Sequence, residues 1–188
     1  NKSLEKINFS VNSNIITIGF VGEITHHKGL HILFESLKFV HEKIELIIIG
    51  NGDAIYIKML KKLATTLNHE IKFLGYRSDA KELYKYFDIL VLPSVANESF
   101  GIVLLEAMKF NLPVICSDFG GMKEVVVNNE TGFIYKSFDF NELSSKLNTL
   151  IKNKSLRIEF GNNGQKRLIN YFSSQIMLKK YLNLIEND

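Results

Sequence analysis

Short continuous apolar runs alternate with helically spaced apolar stripes along most of the chain. The run from Ile15 to Val21 ends at Gly22, and Leu30, Leu33, Phe34, Leu37 and Val40 then recur at the spacing of one helix face. Ile44 to Ile49 predicts a second strand, closed by Gly50-Asn51-Gly52, and Ile57, Leu60, Leu63, Ala64 and Leu67 predict a second helix. Ile71 to Leu74 reads as a third strand, Lys81 to Phe87 as a short helix, and Ile89 to Leu92 as a fourth strand closed by Pro93-Ser94. Phe100, Val103, Leu104, Ala107 and Met108 form the next helical stripe. Val114 to Cys116 and Gly132 to Tyr135 predict strands five and six, the first of them followed by Asp118-Phe119-Gly120-Gly121. Asn141 to Ile185 reads as two or three helices, and the polar, unpatterned residues 1–14 as a linker remnant.

Strands that alternate with helices imply right-handed βαβ units. The strands are unbroken apolar runs, as a sheet covered on both faces requires. The expected fold class is therefore α/β: a Rossmann-like parallel sheet with helices on both faces. A length of 188 residues favours one domain, or one domain and a tail. Apolar residues make up 46% and charged residues 23%, the profile of a globular domain with a core of its own.

Charge and cysteine usage narrow the function classes. The formal net charge is +3 and the lysines are spread along the chain, which argues against a nucleic-acid partner. The lone Cys116 sits in an apolar run, so core packing is its expected role, and nothing demands an oxidising compartment. No apolar run has the length of a membrane span and no signal peptide precedes the first strand, so a cytoplasmic location is expected.

In an open parallel sheet the ligand sits at the carboxyl ends of the strands. Four loops there carry unusual chemistry: Gly22-Glu23 through His26-His27-Lys28-Gly29, Gly50-Asn51-Gly52-Asp53, Gly75-Tyr76-Arg77, and Asn97-Glu98-Ser99-Phe100-Gly101. Ser99 is the expected N-cap of the helix that follows, with Phe100, Gly101 and Ile102 in its first turn. The free N–H groups of that turn and the helix dipole suit a phosphate. Glu98 and Glu106 stand eight positions apart, one carboxylate at each end of this anion site. A nucleotide-sugar, with hydroxyls on both sides of a diphosphate, has the matching shape. Without a cluster of carboxylates suited to Mg²⁺, binding is expected to need no metal and no cofactor. The adjacent His26 and His27 lack the partner pattern of a metal site.

The order Gly22…Lys28-Gly29, Leu92-Pro93-Ser94, Glu98-x7-Glu106, Gly120-Gly121-x-x-Glu124-Val125 and Thr131-Gly132-Phe133 resembles the carboxyl-terminal domain of glycosyltransferase family 4. Those are retaining enzymes of the GT-B fold, and the resemblance runs from about Ile15 to Ile185. It implies a nucleotide-sugar-binding domain over residues 15–170. It also implies a carboxyl-terminal helix over 171–188 that crosses back to an amino-terminal acceptor domain, which this chain lacks. By the same resemblance, Lys28 would neutralise the donor diphosphate and Glu98 would bond the donor sugar, making these the two catalytic candidates. Phe100, Gly101 and Ile102 would offer backbone amides to the phosphates and sugar, with Ser99 beside them in the donor site. Glu106 would hold the ribose, and Gly22, Gly50, Tyr76 and Arg77 would line the rest of the donor site, the last two meeting the base. The implied reaction moves a hexosyl group from a UDP- or GDP-linked donor to a glycan or lipid-linked acceptor in bacterial surface polysaccharide synthesis. Membrane contact would come peripherally, through the missing domain.

One departure stands out. The family usually has Arg after the first glycine of the diphosphate loop, where this chain has Glu23. With half of the cleft absent, the chain alone is expected to be inactive. Other readings weigh the same residues differently. A nicotinamide dehydrogenase would need Gly-x-Gly-x-x-Gly after the first strand, and a P-loop enzyme a Gly-Lys-Ser/Thr ending; neither occurs. A sugar-nucleotide epimerase of the same fold, and a non-catalytic nucleotide-sugar- or partner-binding module in which phosphate binding has decayed, both stay open.

Overall fold

The computed structural model describes residues 15–96, 98–173 and 176. Among them six strands form one sheet: β1 (Ile16–Val21), β2 (Ile44–Ile49), β3 (Glu70–Gly75), β4 (Ile89–Leu92), β5 (Val114–Ser117) and β6 (Gly132–Tyr135). Their order is β3-β2-β1-β4-β5-β6 and every pairing is parallel. The helices are α1 (Leu30–Leu37), α2 (Ala54–Ala64), α3 (Ala80–Leu83), α4 (Ile102–Lys109), α5 (Met122–Val125), α6 (Phe140–Lys152) and α7 (Lys154–Tyr171), with 3₁₀ turns at His26–Lys28 and Tyr84–Tyr86.

The strand runs explain the sheet's layering. Ile18 and Phe20 of β1, Leu46 to Ile49 of β2 and all of β4 and β5 are buried, so both faces of the central strands are covered. β3 is one edge: its side chains are half-buried after the exposed Glu70, and Lys72 there pairs with Glu45 on β2 and with Glu70 at 3.0 Å. Charge on an edge strand blocks unwanted pairing. From β1 the chain winds one way to β2 and β3, and from β4 the other way to β5 and β6. Right-handed crossovers therefore put α1 and α2 on one face and α4 on the other. The packing agrees: α1 lies against α2 and α6, and α4 against α7.

Helix ends account for most differences from the sequence reading. Asp53 accepts the N–H groups of Ile55 and Tyr56 at 2.8 and 3.0 Å, so α2 starts at Ala54, before its apolar stripe. The expected Ser99 cap is not used: α4 starts at Ile102, and Gly101 holds the capping position with φ 74 and ψ 52. Its amide bonds the Glu98 side chain, which displaces Ser99 as the local hydrogen-bonding group. Phe100 consequently lies in the loop, outside the helical turn assigned to it. The linker of residues 1–14, and nearly all of the helix expected over 171–188, lie outside the described residues.

Candidate functional site

The strand order reverses between β1 and β4, and at such a point the loops after the two strands diverge and leave a crevice at their carboxyl ends. Lys28, from the loop after β1, and Glu98, from the loop after β4, meet there. Lys28 Nζ lies 2.6 Å from Glu98 Oε2 across 70 residues of sequence. The side chains are 18% and 11% exposed, so the pair is mostly withdrawn from water. Glu98 is further held by Ser94 Oγ, donating to Oε2 at 3.0 Å, and by the Gly101 N–H, donating to Oε1 at 3.2 Å. A carboxylate with both oxygens bonded and a cation beside it is fixed in one orientation.

The backbone beneath the pair depends on close approach. Gly29 has φ 72, and a Cβ there would stand 1.9 Å from the Pro93 carbonyl oxygen. The loop carrying Lys28 can therefore lie against the loop carrying Ser94 only with glycine at this position. Two further bonds lock the loops together, with Val95 N–H and Ala96 N–H both reaching the His27 carbonyl, at 2.8 and 3.3 Å.

Glu106 lies one helical turn from Ile102, and both face outward. Its Oε2 accepts the Tyr84 hydroxyl at 2.9 Å and its Oε1 pairs with Lys81 at 3.2 Å. Burial, and then the Glu106 carboxylate, push the Tyr84 hydroxyl far above its ordinary pKa, so it stays a donor. Ile102 is 66% exposed, Ser99 is exposed and Phe100 half-buried.

Gly22, Gly50, Tyr76 and Arg77 converge on a separate part of the same edge. With Glu23 and Asn51 they line a cleft of about 330 Å³ at the ends of β1, β2 and β3. A Cβ on Gly50 would fall 1.8 Å from the Gly22 carbonyl, so Gly50 serves the closeness of the two loops directly. The Tyr76 N–H donates to Asn51 Oδ1 at 3.1 Å, while the Tyr76 ring is 74% exposed. Arg77 grips Asp79 with two bonds, Nε to Oδ1 at 2.7 Å and Nη2 to Oδ2 at 2.6 Å. The guanidinium holds the Asp79 carboxyl below the usual carboxylate range. Glu23 is exposed on the cleft wall.

Ser94 and Asn51 stand in motifs quoted from the sequence but were given no role of their own, and Lys81 and Tyr84 were not singled out as site residues. They are ordinary polar residues whose roles come from partners far along the chain. Glycines at 29, 101 and 120 were the available signal. The Thr131-Gly132-Phe133 motif serves folding: Thr131 Oγ1 accepts the Val127 N–H at 2.9 Å, and Phe133 packs edge-on to Phe160. Cys116 is buried, and burial raises its thiol well above the ordinary pKa, which fits core packing. His26 stacks on His31 with ring centroids 4.2 Å apart, a cluster that reaches Tyr56. No group of three or more metal-binding side chains occurs among the described residues.

A family profile described as Glycosyl transferases group 1 matches residues 2–167. The chain belongs to that family. It is 37% identical over 181 residues to the capsular polysaccharide biosynthesis glycosyltransferase CapM of Staphylococcus aureus, covering 94% of this chain and 47% of CapM. The crystal structure of Anabaena Alr3699/HepE in complex with UDP and glucose superimposes with a TM-score of 0.84 and 27% identity, over 93% of this chain and 49% of that one. The C-terminal domain of the group 1 family protein LpcC from Francisella tularensis gives a TM-score of 0.75 and 27% identity, over 85% and 87%. The fold is thus that of a GT-B carboxyl-terminal domain, and the chain spans about half the length of CapM and of HepE. Among the described residues no helix is long and apolar enough to cross a membrane.

Proposed function

We propose that this domain binds the nucleotide-sugar donor of a retaining glycosyltransferase that moves a hexosyl group to a glycan or lipid-linked acceptor. The observation that carries the proposal is the Lys28–Glu98 pair at the switch point, beside the amino-terminal end of α4. A donor diphosphate would meet Lys28 and the first amides of α4, where the helix's unpaired N–H groups point. Lys28 has three N–H donors and commits one to Glu98, so it can serve carboxylate and phosphate together. Glu98, oriented by Ser94 and Gly101, would accept a sugar hydroxyl and stabilise positive charge that develops on the sugar. Glu106 would take the ribose hydroxyls, and the cleft lined by Tyr76 would take the base. The UDP complexes of HepE and the naming of CapM support this reading, and support bacterial surface polysaccharide as the product class. Cytoplasmic action, with an acceptor domain outside this chain, follows from it.

Calorimetric titration with UDP, GDP and ADP, with and without chelator, tests the proposal. Metal-independent binding of at least one nucleotide is expected, and strict dependence on a divalent ion would remove the metal-free part. Glu23 favours a second reading, a binding module without turnover, because it puts an anion in the loop after β1, where the family usually has Arg for the diphosphate, and on the wall of the cleft proposed for the base. Acceptor-dependent turnover by the full-length protein separates the two.

A further inference from the structure

We propose that Arg167, on the last turn of α7, is a positioning residue for the loop that carries Glu98. Its guanidinium donates from Nε to the Val125 carbonyl at 2.8 Å and from Nη2 to the Glu124 carbonyl at 2.6 Å, fastening the end of α5. The same group stands 5.5 Å from the Phe172 ring centroid and 5.3 Å from that of Tyr171, which is cation–π range. Phe172 in turn meets the Phe100 ring edge-on at 5.8 Å. One side chain thus ties α5, the end of α7 and Phe100 of the site loop.

The other end of α5 touches that loop too. A Cβ on Gly120 would fall 1.9 Å from the Glu98 carbonyl oxygen, and one on Gly121 2.1 Å from that of Ser99. The Gly121 N–H reaches the Glu98 carbonyl at 3.4 Å. The loop over residues 98–101 is therefore gripped on one side by the start of α5 and on the other by the Phe100–Phe172 contact. Arg167 joins both grips. Arg's planar fork bonds two carbonyls in its own plane and leaves its face free to meet a ring.

A second arginine on the same helix supplies the control. Arg157 Nη1 donates to the Leu150 and Ile151 carbonyls at 2.6 and 2.9 Å, capping α6 in the same manner, and among the described residues it makes no hydrogen bond or ion pair with the site loop. The function of the loop rests on the donor-binding reading above; its positioning does not. In the full-length protein, hydrogen exchange over residues 98–102 should quicken in Arg167→Ala and in the milder Phe172→Leu, and stay unchanged in Arg157→Ala. Nucleoside diphosphate affinity should weaken about three- to tenfold in the first two only. Unchanged loop protection in folded Phe172→Leu, or equal loosening by Arg157→Ala, overturns the proposal. If the exchange pattern holds but no nucleotide binds even the unsubstituted protein, the donor-binding reading falls and the clamp stands.

Discussion

Single residues at this site are committed before any ligand arrives, and the two glutamates are committed differently. Glu106 is held by Tyr84 and Lys81 at a partly buried position, where the hydroxyls of the proposed ribose would compete for it. Glu106→Gln should cost about 1.5–3 kcal/mol, or roughly 10–150-fold, for bare nucleoside diphosphate and complete donor alike. Glu98→Gln should leave diphosphate binding nearly unchanged while weakening the donor or slowing transfer, with the rate loss exceeding the binding loss. Titrating both variants with each ligand, with circular dichroism as the fold check, decides the assignment. Loss of diphosphate binding in Glu98→Gln would reverse it. His31 makes a pH prediction. Its Nδ1 lies 2.8 Å from the Tyr56 oxygen and its backbone N–H donates to that oxygen at 3.0 Å. Burial, then the neighbouring His26, lowers its pKa below the ordinary 6.5, while Glu35 acts in the opposite sense. The unfolded chain therefore takes up a proton before the folded one does. Stability is full above the ordinary value and falls as pH drops towards the lowered one. Urea midpoints from about pH 7.5 to about pH 5 should decline less in His31→Asn than in the unsubstituted chain.

Among the elements, loop junctions are less tolerant than helix caps. Asp53→Ala removes the acceptor for two N–H groups at the start of α2, which solvent can partly replace; about 1 kcal/mol should be lost. Gly29→Ala asks for a left-handed backbone and puts a methyl group 1.9 Å from the Pro93 carbonyl, so the loop must move or the fold must yield. Its loss should exceed about 2 kcal/mol, and the displaced Lys28 should weaken nucleotide binding as well. Chemical denaturation and calorimetry of both variants check the ranking; a Gly29→Ala protein as stable as Asp53→Ala would contradict the packing argument.

At the scale of the whole molecule, the candidate site lies along one edge of the sheet. The sheet's carboxyl edge gathers the Lys28–Glu98 pair, Glu106 and the Tyr76 cleft, yet the chain spans only about half the length of CapM. A nucleotide at 100 times its dissociation constant should stabilise it by about 2.7 kcal/mol, visible as a thermal shift. On the proposed reading, in which an acceptor domain lies outside this chain and orients the acceptor and shields it from water, sugar transfer should be absent with residues 1–188 and present with the full-length protein. Acceptor-dependent transfer by the chain alone would refute this.

Six strands, their parallel pairing and the edge along which the candidate site residues gather were legible from the chain. Continuous β-branched runs and helical stripes are local patterns, and short crossovers permit only one hand. The ordered glycines and carboxylates were legible for the same reason. The start of α4 was not: Ser99 is a good cap by type, but Gly101 took the position once Glu98 turned back to bond its amide. The Lys28–Glu98 contact, the Asn51 hold on Tyr76, the Arg77–Asp79 fork and the Arg167 clamp were invisible as well. The sequence determined which elements form and in what order they stack, because backbone preference and burial act over neighbouring residues. Only the tertiary structure decided which polar groups meet, because a partner 70 residues away has no local signature and its geometry exists only after the sheet has closed.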